Sequence, residues 1–226
     1  MKIKFSSIIS QGSGSIGSST FARNRYGQYA REKVMPVDPN SNLQAAVRAY
    51  FSSLCAGWNV LTAAQRLAWE VYGQNTTATD SMGNSIVLPG RQWYIGNNTL
   101  RLQAGLSVIA AGPTSYGLPI MTKPTPTVAP GTSASLVFTN TDAWATAAGG
   151  ALMFFVSKPK APTINFCKGP YRYAGKITGA VTPPTSPATI ALPYTFTAGQ
   201  RVYWRAVAVT ADGRVSADNW GDLFCA

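Results

Sequence analysis

The sequence predicts an α+β protein in several parts. An extended basic arm covers residues 1–40, a small helical domain 41–105, a Pro/Gly-rich linker 106–131 and a C-terminal β-sandwich 132–226. Two capping boxes ahead of helix-spaced apolar residues predict the helices. Short apolar runs separated by turn residues predict the sandwich. A cluster of prolines between them marks the boundary. The chain has 226 residues, 46% of them apolar, so it can bury a core of its own.

The arm is rich in Ser and Gly and then turns basic. Lys2, Lys4, Arg23, Arg25, Arg31 and Lys33 against Glu32 give residues 1–37 a net charge of +5. The run from Phe21 to Tyr29 interleaves aromatic and cationic side chains. No period of 3.6 or 2 persists, which predicts an extended segment that becomes ordered on another surface. Arg23, Arg25, Tyr26, Tyr29 and Arg31 are its candidate partner-binding residues. Two partners fit: an acidic protein surface, or nucleic acid held through phosphates and stacked bases. The other basic residues are dispersed along the chain, whereas nucleic-acid binders cluster theirs, which favours protein. Gly12 to Gly17 match G-x-G-x-x-G, but no β-α-β pattern surrounds them, so they read as a flexible Gly/Ser stretch.

Ser41 and Gln44 form the first capping box, followed by Leu43, Val47, Tyr50, Phe51 and Leu54, with Gly57 as the expected stop. Thr62 and Gln65 form the second. The helix they open carries Ala64, Leu67, Ala68, Val71 and Tyr72 on one side and ends near Gly73. A polar loop is expected from Gln74 to about Ser85. A third helix should begin with Pro89 at its first position and end at Gly105, with Trp93, Tyr94, Ile95, Leu100 and Leu102 as its apolar members. Trp58, Trp69 and Trp93 read as the bulky core of this small domain.

Beyond the prolines, strands are expected at 135–139, 151–157, 171–177, 189–192 and 201–210, with Asp212-Gly213 as a hairpin turn. Trp144, Trp204 and Trp220 should serve the sandwich core. The stretch from Phe196 to Ala208, with Gly213 and Ser216 after it, resembles the last strands of a fibronectin type III module. That resemblance implies an immunoglobulin-like sandwich. There is one departure: the family's corner tyrosine falls on Val202, and Tyr203 lies one place on, facing the other side of its sheet.

Composition excludes much chemistry. The chain has 19 Lys+Arg, 8 Asp+Glu and no histidine, for a net charge of +11. Without histidine there is no Ser-His-Asp or Cys-His nucleophile and no His-ligated metal. Few acids leave little for a carboxylate pair or a magnesium cage. No cofactor or metal and no enzymatic activity are therefore expected. Cys55, Cys167 and Cys225 sit at wide spacings and read as buried thiols, with a Cys167–Cys225 bridge left open. The first residues lack the apolar run of a signal peptide, and no segment reads as a membrane span.

One further pattern spans about residues 12–75. It joins Gly14-Ser15-Ile16-Gly17, Arg23-Asn24-Arg25-Tyr26-Gly27, Asp38-Pro39-Asn40, Gln44-Ala45-Ala46-Val47-Arg48, Trp58 and Leu61-Thr62-Ala63-Ala64-Gln65-Arg66-Leu67-Ala68-Trp69. This resembles a family of uncharacterised proteins encoded by tailed bacteriophages, with an N-R-Y-G-like run and an L-T-x-x-Q-R-x-x-W helix. Where the family has N-P-N-T, this chain has Asp38-Pro39-Asn40-Ser41, which keeps the capping logic. The resemblance implies a virion structural role, assembled in the bacterial cytoplasm. The expected partners are the major capsid protein or other virion proteins, together with further copies of this chain. A capsid decoration, cement or minor capsid protein leads. A neck, tail or fibre component is the alternative, and a genome-associated DNA-binding protein stands third.

Overall fold

Glycine turns fold the basic arm back on itself. The structure, a computed structural model, describes residues 12–34, 38, 41–80 and 82–226. Strands β1 (Gly14–Ile16), β2 (Ser19–Asn24) and β3 (Gly27–Glu32) pair antiparallel in that order. Gly17, at φ +57, opens the first turn, where a side chain would be strained. In the second turn the Tyr26 N–H donates to Asn24 Oδ1 at 2.9 Å. The extended arm expected here is corrected to a three-stranded meander. The Ile16-Gly17-Ser18-Ser19 turn cuts the segment into strands too short to show a sustained period. Residues 1–11, 35–37 and 39–40 of the expected arm lie outside the described residues.

Helix α1 spans Asn42–Val60. Its capping box is formed: the Ser41 N–H donates to Gln44 Oε1 at 3.1 Å, and the Gln44 N–H to Ser41 Oγ at 3.4 Å. The helix continues through Gly57 instead of stopping there, because that residue packs under the Tyr94 hydroxyl inside the helical cluster. Thr62 then caps α2 (Ala63–Asn75) through the expected box with Gln65. The expected polar loop holds a small hairpin, β4 (Thr77–Thr79) and β5 (Ser85–Val87), whose turn is organised by Asp80 Oδ1 accepting from the Met82 and Asn84 N–H groups. Pro89 is the N-cap of α3 (Gly90–Gln103), one place before the expected position. A Cβ on Gly90 would lie 2.4 Å from the backbone of Trp69 and Glu70, so only glycine allows α3 to start this close to α2.

Seven strands follow: β6 (Thr125–Val128), β7 (Gly131–Val137), β8 (Ala151–Ser157), β9 (Tyr171–Thr178), β10 (Ala188–Phe196), β11 (Arg201–Val209) and β12 (Asn219–Phe224). They form two antiparallel sheets, ordered β10-β7-β6 and β12-β11-β8-β9. Leu136, Ile190 and Phe196 of the first meet Phe154, Val202 and Trp204 of the second in one core. The described residues are thus mixed, with three helices and several antiparallel sheets. Strand β6 lies within the span read as linker, and β12 follows the Asp212-Gly213 turn. Val202 is fully buried in the core, while Tyr203 points to the other face and donates its hydroxyl to the Ile164 carbonyl at 2.5 Å.

Strand β8 is buried along its whole length. A sandwich strand normally buries one face. Here Leu152, Phe154 and Val156 enter the inter-sheet core. Met153 and Phe155 point the other way and pack with Val207, Val209 and Ala104, backed by Leu100 and Leu106. The end of α3 therefore covers the outer face of the four-stranded sheet.

Contacts divide the chain into two compact units. One takes in the described residues up to Ala45 with Thr79–Ser85; the other is Ala46–Ala78 with Ile86–Ala226. Trp220 corrects an expectation: it is 47% exposed, at the edge strand β12 against Tyr171, and serves no core. The three cysteines are free thiols, which removes the Cys167–Cys225 bridge.

Candidate interaction surface

The five residues singled out in the arm fall on one hairpin. Arg25 and Tyr26 make the β2–β3 turn. Arg23 stands opposite Gln28, Tyr29 opposite Ala22 and Arg31 opposite Thr20. Alternation along a strand then sends Arg23 to one face and Tyr29 and Arg31 to the other. The three arginines are exposed and the two tyrosines half-buried. The structure thus gathers the residues but divides their cations, which does not make the single groove that would track a phosphate backbone.

No described residue before Leu54 is buried. This holds for the three-stranded sheet and for the first three turns of α1. Leu43 is 60% exposed, Val47 46% and Phe51 56%. Beside this stripe runs an open groove of about 670 Å³, walled by Phe51 and Cys55 of α1 and by Arg91, Gln92, Ile95, Gly96 and Thr99 of α3.

From Leu54 onwards polar groups are spent on holding the body together. The buried face of α3 is Trp93, Tyr94, Asn97, Asn98 and Arg101, helical spacing that mixes aromatic and polar side chains. The apolar count in the sequence missed its polar members. Asn98 acts as a strand-like partner for Ile109: its Oδ1 accepts the Ile109 N–H at 2.8 Å, and its Nδ2 donates to the Ile109 carbonyl at 3.1 Å. Trp69 Nε1 donates to the Ala110 carbonyl at 3.0 Å, and the Gly117 N–H donates to Thr76 Oγ1 at 3.0 Å. These bonds lay the start of the proline-rich stretch along the helices.

Arg101 is the joint. It is 3% exposed, and its guanidinium donates to the carbonyls of Ser107 at 2.9 Å, Gly149 at 3.2 Å and Thr210 at 2.9 Å. Burial pulls its pKa below the ordinary arginine value, partly offset by the nearby Asp212 carboxylate. One side chain thereby ties α3 to two loops of the sandwich.

Most carboxylates have structural work. Glu70 accepts the Gly90 N–H at 2.9 Å and so caps α3. Asp142 accepts from the Thr122 N–H and hydroxyl at 2.9 and 3.0 Å. Asp222 pairs with Arg201 at 2.7 Å, and Asp218 with Arg205 at 3.5 Å. Burial pushes Asp218 above the usual carboxylate range, partly offset by Arg205. Burial would raise Asp212 too, but bonds from the Thr210 hydroxyl and from the Arg214 N–H and guanidinium together bring it below that range. Tyr171 is pushed up to about 12, by burial first and then by Cys167. Among the described residues no group of three His, Cys, Asp or Glu converges on one point, and no helix is long and apolar enough to cross a membrane.

No protein-family model, no curated protein and no solved structure matches the chain.

Proposed function

We propose that this chain is a non-enzymatic structural component of a tailed-bacteriophage particle, a capsid decoration, cement or minor capsid protein that holds neighbouring subunits through its N-terminal region. One observation carries the reading: regular elements before Leu54 contain no buried residue. A three-stranded sheet with no core of its own is marginal in water. So is a helical stretch of three turns with no covered face. Both gain stability from a surface that another molecule supplies. Arg23, Arg25, Tyr26, Tyr29 and Arg31 are the contacts of the hairpin in this reading. Arginine and tyrosine are residue types enriched at interface hot spots.

The sandwich fits the same role. Two antiparallel sheets, ordered β10-β7-β6 and β12-β11-β8-β9, around one shared core support reading this part as a fibronectin type III-like module. The segment resemblance to phage proteins over residues 12–75 adds the particle itself. The test is the copy number of this chain relative to the major capsid protein in purified particles. A near-stoichiometric ratio is expected for a shell component. A few copies per particle would move the chain to the neck, tail or fibres, and its absence from particles would overturn the reading.

A further inference from the structure

We infer that one edge of the four-stranded sheet binds single-stranded nucleic acid, stacking bases on Phe166, Trp220 and Phe224 and holding phosphates with Lys158, Lys160 and Lys168. Such binding goes beyond the particle reading above and does not rest on it. The three aromatic side chains come from separate parts of the chain and are 77%, 47% and 54% exposed. Phe166 lies in the connection between β8 and β9, and Trp220 and Phe224 lie on β12, the edge strand.

One set of contacts joins them. The connection is pinned on both sides of Phe166. Arg201 donates to the Ile164 carbonyl at 3.0 Å and to Asn165 Oδ1 at 2.5 Å, and the Tyr171 hydroxyl donates to the Cys167 carbonyl at 2.9 Å. The same Arg201 guanidinium lies 5.4 Å from the centre of the Phe224 ring. The same Tyr171 packs edge-on against Trp220, with ring centres 5.1 Å apart. Trp220, Arg205 and Phe155 stand in register across β12, β11 and β8. The Arg205 guanidinium lies 4.6 Å from the Phe155 ring centre and 5.6 Å from that of Trp220. The surface is thus organised before any ligand arrives, which lowers the ordering cost of binding.

Charge and residue type select the occupant. The carboxylates of this edge, Asp218 and Asp222, are each paired with an arginine, Arg205 and Arg201. The connection 158–170 carries three lysines and no acid. Among the described residues no carboxylate pairs with Lys158, Lys160 or Lys168. The edge therefore keeps an unneutralised positive charge and fits an anionic partner. Protein interfaces are poor in lysine and seat their aromatic anchors in packed pockets. Here lysine supplies the free charge, and the rings stand out from a loop and an edge strand. A base needs only an open ring face to stack on, and a phosphate needs only a point charge. Nucleic acid therefore fits better than an acidic protein. Basic residues that are dispersed in the sequence are gathered here by the fold.

The experiment is fluorescence anisotropy of a labelled oligothymidylate of about 20 nucleotides, titrated with the pure full chain at low salt. Saturable binding is expected. It should weaken as salt rises, with a log–log slope of about −2, as three lysine contacts to a single strand give. Phe166→Ser and Trp220→Leu should each weaken binding about tenfold or more, with unchanged circular dichroism. Changing Lys158, Lys160 and Lys168 together to Gln should flatten the salt slope. The variant with Arg23, Arg25 and Arg31 changed to Ser should bind as the wild type does. No binding at low salt would overturn the inference. So would binding that both ring variants retain, or that the arm variant loses while they keep it. Poly-glutamate competing as well as the oligomer would also overturn it, and would mark the edge as a seat for an acidic protein. Since no particle enters the measurement, its failure leaves the copy-number test of the particle reading untouched.

Discussion

Residues 12–53 and residues 54–226 are both rich in regular structure, yet only the second stretch has an interior. The first holds three strands and three turns of helix with no buried side chain among its described residues. The second holds a fully buried strand, β8, between two apolar layers, and a buried arginine that ties helix to sandwich. Hydrogen bonding and capping can be completed locally, as Ser41 with Gln44 and Asn24 with Tyr26 demonstrate. Burial cannot, because it needs a second surface. A region with the first and without the second is stable only to the extent that something else covers it.

The sharpest way to break this contrast is to open the body. Arg101→Met would leave the carbonyls of Ser107, Gly149 and Thr210 without their donor, at a cost of about 3 kcal/mol or more. Thermal unfolding should report a drop of several degrees, and an unshifted midpoint would mean that α3 and the sandwich are not joined through this residue. Thr62→Ala should cost about 1 kcal/mol by removing the α2 cap. Denaturant titration measures it, and no change would place the helix start elsewhere.

Smaller effects come from two carboxylates shifted in opposite directions. Asp212 is held below the ordinary aspartate range, so its stabilisation is present at neutral pH and is lost as pH falls through its folded value. Asp218 is held above that range, so its contribution favours the fold while it is protonated and is lost as pH rises through its folded value. Stability measured between about pH 3 and 7 should therefore fall less steeply in acid for Asp212→Asn, and be higher near neutrality for Asp218→Asn. Parallel curves for both variants and the wild type would show that neither group is coupled to folding.

The smallest effect on stability belongs to the first region. Replacing Arg23, Arg25 and Arg31 with Ser should shift the midpoint by no more than about 0.5 kcal/mol, since all three are exposed. On the proposed particle role, incorporation into particles should nevertheless weaken. Full incorporation would remove the hairpin from the interface.

Where the sequence was legible, the signal was short and physical. Both capping boxes and the bounds of β8 could be read directly, because a Ser/Thr three residues before Gln and an unbroken apolar run have few other structural uses. The meander at 14–32 was hidden because its strands are short and mix polar with apolar residues on each face, so alternation carries little contrast. The buried ridge of α3 was hidden for a different reason: Asn97, Asn98 and Arg101 look like solvent residues until the loops they bond are in place. Trp220 shows the converse error, an aromatic assigned to a core that instead lies exposed on an edge strand. The stripe on α1 was visible as a pattern from the start, but pattern alone does not say whether its cover lies in the same chain.

Amide hydrogen exchange on the dilute, isolated chain tests the contrast between the two regions most directly. Residues in β8 and β11 should exchange only on global unfolding, while 12–34 and 42–53 should exchange through local opening, faster by orders of magnitude. Protection of those N-terminal amides equal to that of β8 in the dilute chain would contradict the claim that this region waits for a partner.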